Sequence, residues 1–184
     1  MNRREALRRF GHAAGALLVW RSLPIPSWAA LPEIEGWKES DVARLTAIGD
    51  TILPATPGSP GAGAIHIGRF VVMMLAECHP PSDSDDVRSF LSEFERHVGL
   101  RAGARFDQTG AEEREQRLVE FERRVKIAAA GTGWADGFKV VKRLVLTGYF
   151  TSEPGATQAL RYDPVPGAYH GSVPVDSTTK AWAT

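Results

Sequence analysis

An all-α domain of about five helices, closed by an irregular tail rich in proline and aromatic residues, is what the sequence predicts. Apolar residues recur at three- and four-residue intervals in five separate stretches, no stretch alternates at period two, and Pro and Gly punctuate the gaps. With 184 residues, 43% hydrophobic and 24% charged, the chain has the composition of one globular domain, not of a collagen-like, disordered or polytopic membrane protein. It contains no internal repeat.

The first predicted helix opens at Ser40, a good N-cap, and carries Val42, Leu45, Ile48 and Ile52 on one face until Pro54 stops it. Residues 54–64 hold three Pro and three Gly, which predicts a loop with few backbone donors and no packing of its own. The run Ile65 to Ala76 includes Phe70-Val71-Val72-Met73-Met74-Leu75, apolar nearly all round. It predicts a central buried helix, with a strand through the β-branched pair as the alternative. Ser82-Asp83-Ser84-Asp85-Asp86 then precede Val87, Phe90, Leu91, Phe94 and Val98, an amphipathic helix ending near Gly99. The three acids resemble the start of a calcium loop, but the loop glycine and the closing Glu are missing. They read instead as acids set against the positive end of the helix dipole.

Thr109-Gly110-Ala111-Glu112 has the form of a capping box opening a charged helix, with Leu118, Phe121 and Val125 on its inner face and solvated Glu and Arg pairs outside. Trp134, Phe138, Val141, Leu144, Val145 and Tyr149 define the fifth helix, ending beside Gly148. Thr151-Ser152-Glu153-Pro154-Gly155 offers a cap, an acid and a proline for a further short helix through Leu160. From Arg161 onward the segment holds Pro164, Pro166, Pro174, Tyr162, Tyr169 and Trp182 without helical periodicity. Fully extended, its 24 residues would reach about 70 Å. Such a segment lies across the body, lies across a partner or hangs loose, and its aromatics favour an ordered contact.

The N-terminus reads as an address. Arg3 and Arg4, with Leu7 three residues on, precede a weakly apolar run from Phe10 to Trp20. Eleven residues are too few to span ~30 Å of hydrocarbon. Pro24 and Pro26 break the run, and Ser27-Trp28-Ala29-Ala30 offers small residues to a peptidase. The expectation is a twin-arginine signal over residues 1–29, cleaved after Ala29, ahead of a helical domain over 30–160 and a tail over 161–184. The expected compartment is the periplasm, with membrane association only indirect.

Charge divides the same way. The whole chain balances 22 Lys+Arg against 22 Asp+Glu, yet residues 1–29 hold five Arg and one Glu, so the remainder carries 17 bases against 21 acids. A net charge of −4 without a basic face argues against a nucleic-acid partner.

Folded-protein export is often used for cofactor proteins, but this chain offers no cofactor site of its own. Gly58-Ser59-Pro60-Gly61-Ala62-Gly63 lacks the third glycine of a dinucleotide loop, and no Cys-x-x-Cys-His occurs for haem. The lone Cys78 cannot hold an iron–sulfur cluster or a thiolate zinc site. His66, His79, His97 and His170 show no ligand spacing. Asp50 and Glu153 read as groups that bond backbone amides rather than as acid–base catalysts. No catalytic, cofactor or metal residue is therefore assigned. A signal without a cofactor suggests a chain that travels with a cofactor-loaded partner; the alternative is a self-sufficient periplasmic enzyme or ligand-binding protein with its site under the Pro/Gly loop.

Two segments resemble a known family. Leu45-Thr46-Ala47-Ile48-Gly49-Asp50-Thr51-Ile52-Leu53-Pro54 is similar to the N-terminal signature of the gluconate 2-dehydrogenase subunit 3 family. Gly148-Tyr149-Phe150-Thr151-Ser152-Glu153-Pro154-Gly155, continued by Leu160, Tyr162, Pro166-Gly167, Tyr169, Gly171 and Pro174, resembles its C-terminal signature. The resemblance implies a small, non-catalytic subunit of a periplasmic sugar or polyol dehydrogenase. The large subunit of such complexes is of the glucose-methanol-choline type and holds FAD, and a cytochrome c subunit with haem c often passes electrons to the membrane. The small subunit carries the twin-arginine signal to the translocase for both chains and helps the flavoprotein mature. Tyr149, Phe150, Glu153, Tyr162, Tyr169 and Trp182 are the expected partner contacts. Members of the family often carry Cys after the glycine matching Gly171, where this chain has Ser172. Cys78 is then either a buried free thiol or a link to the partner chain.

Overall fold

The computed structural model of the chain describes residues 34–165, 167–168 and 171–183. Arg3, Arg4, Leu7, the expected cleavage site and Tyr169 lie outside them. The described residues belong to one compact unit, Pro32–Thr184. Its α-helices are α1 (Glu39–Ile52), α2 (Ile67–Glu77), α3 (Pro81–His97), α4 (Ala111–Ile127) and α5 (Gly133–Thr151). Turns of 3-10 type at Ala62–Ile65 and Phe106–Gln108 lie between helices, and a π-type turn, Gly155–Ala159, follows α5. No strand forms among the described residues, so the all-α expectation holds and the run around Val71 is helical.

The predicted apolar faces meet in one core. Helices α3 and α5 make the most extensive pair, α2 packs on α1 and α5, and α4 closes one side. At the centre Phe94 meets Phe121 edge-on, with centroids 5.1 Å apart, and Phe121 meets Phe138 likewise at 5.1 Å. Phe90 and Phe106 complete the cluster, and all five rings are almost wholly sealed from solvent. Edge-on rings set the positive rim of one against the negative face of the next, a preference added to simple burial. Close approach of α3 and α5 needs Gly137, because a Cβ there would lie 2.1 Å from the Asp86 carbonyl oxygen.

Several local expectations are corrected. Helix α1 begins one residue before Ser40; Lys38 is its N-cap, and the Lys38 amide donates to Asp41 Oδ2 at 3.0 Å. The expected capping box at Thr109 does not form, since the Thr109 hydroxyl donates to the Phe106 carbonyl at 2.6 Å, closing the preceding turn and leaving Gly110 as N-cap. Pro81 occupies the first turn of α3, so Ser82 to Asp86 lie inside the helix. Asp83 lies in the first turn, as expected of an acid at the positive end of the dipole, and its Oδ2 also bonds His79 Nδ1 at 2.7 Å and faces the Arg143 guanidinium at 3.6 Å. Helix α5 runs past Gly148 to Thr151.

The Pro/Gly loop is better fastened than its composition suggested. The Ala62 amide donates to the Leu53 carbonyl at 2.9 Å, and Gly61 and Ala62 are buried. The loop ends at His66, the one non-glycine residue with positive φ (55°) among those described, which also caps α2.

Candidate docking surface and polar cleft

The C-terminal segment neither stretches out as a strap nor joins the core. Its two ends close on each other, with the Arg161 amide donating to the Ala181 carbonyl at 2.7 Å and the Ala183 amide to the Arg161 carbonyl at 2.9 Å. The Arg161 guanidinium covers the Trp182 ring, 4.1 Å from its centroid, a cation–π contact that pins the loop base. Lys180 also donates to the Gln158 carbonyl of the π-type turn. Farther along, Asp176 Oδ1 accepts from the Thr178 amide at 2.8 Å and the Thr178 hydroxyl at 2.7 Å. These bonds to Thr178 hold the Asp176 carboxyl below its ordinary range.

The closed segment borders a groove of about 740 Å³, lined in part by Leu160, Tyr162, Val173, Val175 and Trp182. Tyr162 is 57% exposed and Trp182 44%, Val173 and Val175 of the lining are exposed with them, and Val165 is exposed elsewhere in the segment. Apart from Val119 and Ile127 on α4, these are the strongly exposed large apolar side chains among the described residues.

The predicted contact residues therefore separate. Tyr162 and Trp182 present themselves together at this groove. Glu153 is exposed at the entry to the π-type turn, where its carbonyl accepts from the Thr157 hydroxyl at 2.7 Å. Phe150 is half-buried and packs edge-on against Tyr149, 5.2 Å between centroids. Tyr149 differs from them: it is 3% exposed and its hydroxyl donates to the Pro60 carbonyl at 2.7 Å, so it fastens the chain's own loop to α5. The buried-thiol expectation for Cys78 is also overturned, since the thiol stands exposed at the C-cap of α2.

A second concavity, a cleft of about 380 Å³, opens under the Pro/Gly loop and is lined in part by Thr46, Asp50, Gly63, His66 and Arg114. Asp50 bonds a backbone amide as the sequence suggested, its Oδ1 accepting from Gly63 at 3.0 Å. That bond explains the glycines: a Cβ at Gly61 would lie 2.4 Å from Asp50 Oδ1, and one at Gly63 2.9 Å. A pyrophosphate does not fit a glycine loop whose concavity holds a carboxylate. Among the described residues no three His, Cys, Asp or Glu side chains converge to hold a metal ion, and no helix is long and apolar enough to cross a membrane. Sequence reasoning missed Arg114 and Arg161, whose partners stand 64 and 21 positions away, beyond any local spacing signal.

No curated protein and no solved structure matches the chain. The family described as gluconate 2-dehydrogenase subunit 3 matches residues 39–167, from the first residue of α1 into the C-terminal segment. That stretch covers the greater part of the chain and includes the N-terminal signature, with the Asp50-anchored loop, and the C-terminal signature as far as Gly167, so the chain belongs to the gluconate 2-dehydrogenase subunit 3 family.

Proposed function

We propose that this chain is the non-catalytic small subunit of a periplasmic, FAD-dependent sugar or polyol dehydrogenase. It escorts the glucose-methanol-choline-type flavoprotein through the twin-arginine translocase and stabilises it afterwards. The observation that carries the reading is the concentration of exposed apolar side chains in the C-terminal segment, on a loop already closed by Arg161 and Trp182. A soluble domain seldom leaves such a patch open unless it meets another surface. A loop fixed before binding also loses less conformational entropy on docking than a free tail would. The family membership and the paired arginines of the leader support the same reading, with FAD held by the partner and haem c by a cytochrome subunit where one is present.

Co-expression with the large flavoprotein tests it. The expected result is a yellow complex that co-purifies through this chain and reaches the periplasm only when Arg3 and Arg4 are intact. Sugar oxidation by the isolated 20.0 kDa chain, or export of an FAD-loaded large subunit without it, would overturn the proposal.

A further inference from the structure

The cleft under the Pro/Gly loop contains one charged pair that does not close. Arg114 NH2 and Asp50 Oδ2 face each other across 3.9 Å, beyond the ~2.7–3.2 Å of an N–H···O hydrogen bond. Each is the other's only ionic partner among the described residues, and Arg114 Nε is buried without any acceptor. The Arg114 side chain is only 17% exposed. A guanidinium so far removed from water needs acceptors more than an exposed one does. Asp50 cannot move across to supply them, because its Oδ1 is tied to the Gly63 amide.

We propose that this cleft binds a small neutral molecule carrying neighbouring hydroxyl groups, with one hydroxyl bridging the gap. Its oxygen accepts from the Arg114 guanidinium and its hydrogen is donated to Asp50 Oδ2. An oxygen about 2.8 Å from each partner fits a 3.9 Å separation.

Charge selects against an ion. The other charged groups of the lining are already matched, Arg69 with Glu39 at 3.0 Å and Asp107 with Arg105 at 2.8 Å. A carboxylate on Arg114 would stand beside Asp50, and an ammonium on Asp50 would stand beside Arg114. A hydroxyl satisfies both without either repulsion. Thr46 spends its hydroxyl hydrogen on the Val42 carbonyl at 2.8 Å, so its oxygen is left as an acceptor for a second hydroxyl. The volume, about 380 Å³, falls in the range of small-molecule sites, ~300–1,000 Å³. It would hold several waters of about 30 Å³ each, which one polyol would displace together.

Sorbitol, added to the ¹⁵N-labelled full-length chain and followed by NMR, tests the site. The expected result is saturable shifts of the Gly63 and His66 amides and of the Arg114 Nε–H. Asp50→Asn keeps an oxygen for the Gly63 amide but loses the acceptor for the hydroxyl, and should weaken binding by about tenfold. Arg114→Gln should do the same, and if that variant fails to fold, Asp50→Asn decides alone. The proposal is overturned if sorbitol produces no saturable shift, if Asp50→Asn binds as tightly as the parent, or if sodium acetate moves these resonances and sorbitol does not. None of these outcomes depends on the flavoprotein, so the cleft and the docking surface stand or fall separately.

Discussion

Phe90, Phe94, Phe106, Phe121 and Phe138 of the helical body are at most 2% exposed, whereas Tyr162 and Trp182 of the C-terminal segment are 57% and 44% exposed. A helix gathers its apolar residues on one stripe, so several helices can turn their stripes toward a common centre. A segment interrupted by Pro164 and Pro174 has no such stripe. Among the described residues its aromatics find partners within the segment and its entry, Arg161 for Trp182 and the groove beside Leu160 and Val173 for Tyr162. Aromatic content alone therefore does not place a residue in the core; periodicity does. The body is made stable by sealing its apolar surface, whereas the segment leaves part of its own open.

The contrast can be broken most sharply inside the Phe cluster. Phe94→Ala should cost about 3–5 kcal/mol of unfolding free energy in urea, since Phe94 packs on Phe90, Phe106 and Phe121 and nothing can move in to fill the space. A loss under about 1 kcal/mol would mean that the cluster is not the stabilising centre. Gly137→Ala should cost about 1–3 kcal/mol through the contact with the Asp86 carbonyl, visible as a lowered urea midpoint.

Tyr149→Phe sharpens the line between body and segment. It removes the bond to the Pro60 carbonyl, should cost about 1 kcal/mol, and should leave co-purification with the flavoprotein intact. Trp182→Ala is expected to do the reverse, changing stability by less than about 0.5 kcal/mol while releasing the partner in a pull-down.

The smallest expected effect concerns pH. The Lys139 ammonium, bonded at 2.7 Å, holds the Asp136 carboxyl below its ordinary value, helped by the Gly131 amide. A group depressed in the folded state contributes stability above its unfolded pKa and loses it as pH falls through the folded value. Asp136→Asn should therefore flatten slightly the acid limb of the stability curve, measured by urea unfolding at a series of acidic pH values. Because the pair is exposed, the change will be small.

Much of the body was legible in the chain itself. Leu45 and Ile48, Phe90 and Phe94, Phe121 and Val125, and Phe138, Val141 and Val145 were all placed by a period set by the helix, which each local stretch carries independently. Caps were less legible, because the Thr109 hydroxyl is taken by the preceding turn and because Asp41, three residues on, bonds the Lys38 amide and starts the first helix ahead of Ser40. The exposed groove was half legible: Tyr162 and Trp182 stood out as aromatics without a helix, but Tyr149 looked equivalent to them. What separates it is Pro60, 89 residues away in sequence and in contact only after folding.

The sequence by itself determined the helices, their inward faces and a C-terminal segment unable to join the core, because periodicity and proline act over a few residues. Tertiary structure alone decided that Asp50 closes the glycine loop, that Arg114 faces it across an unfilled gap, and that Arg161 returns to Trp182. Asp50 and Arg114 meet only when the helices between them have packed, whereas the other two contacts close loops of 13 and 21 positions, longer than the few residues over which periodicity and proline act.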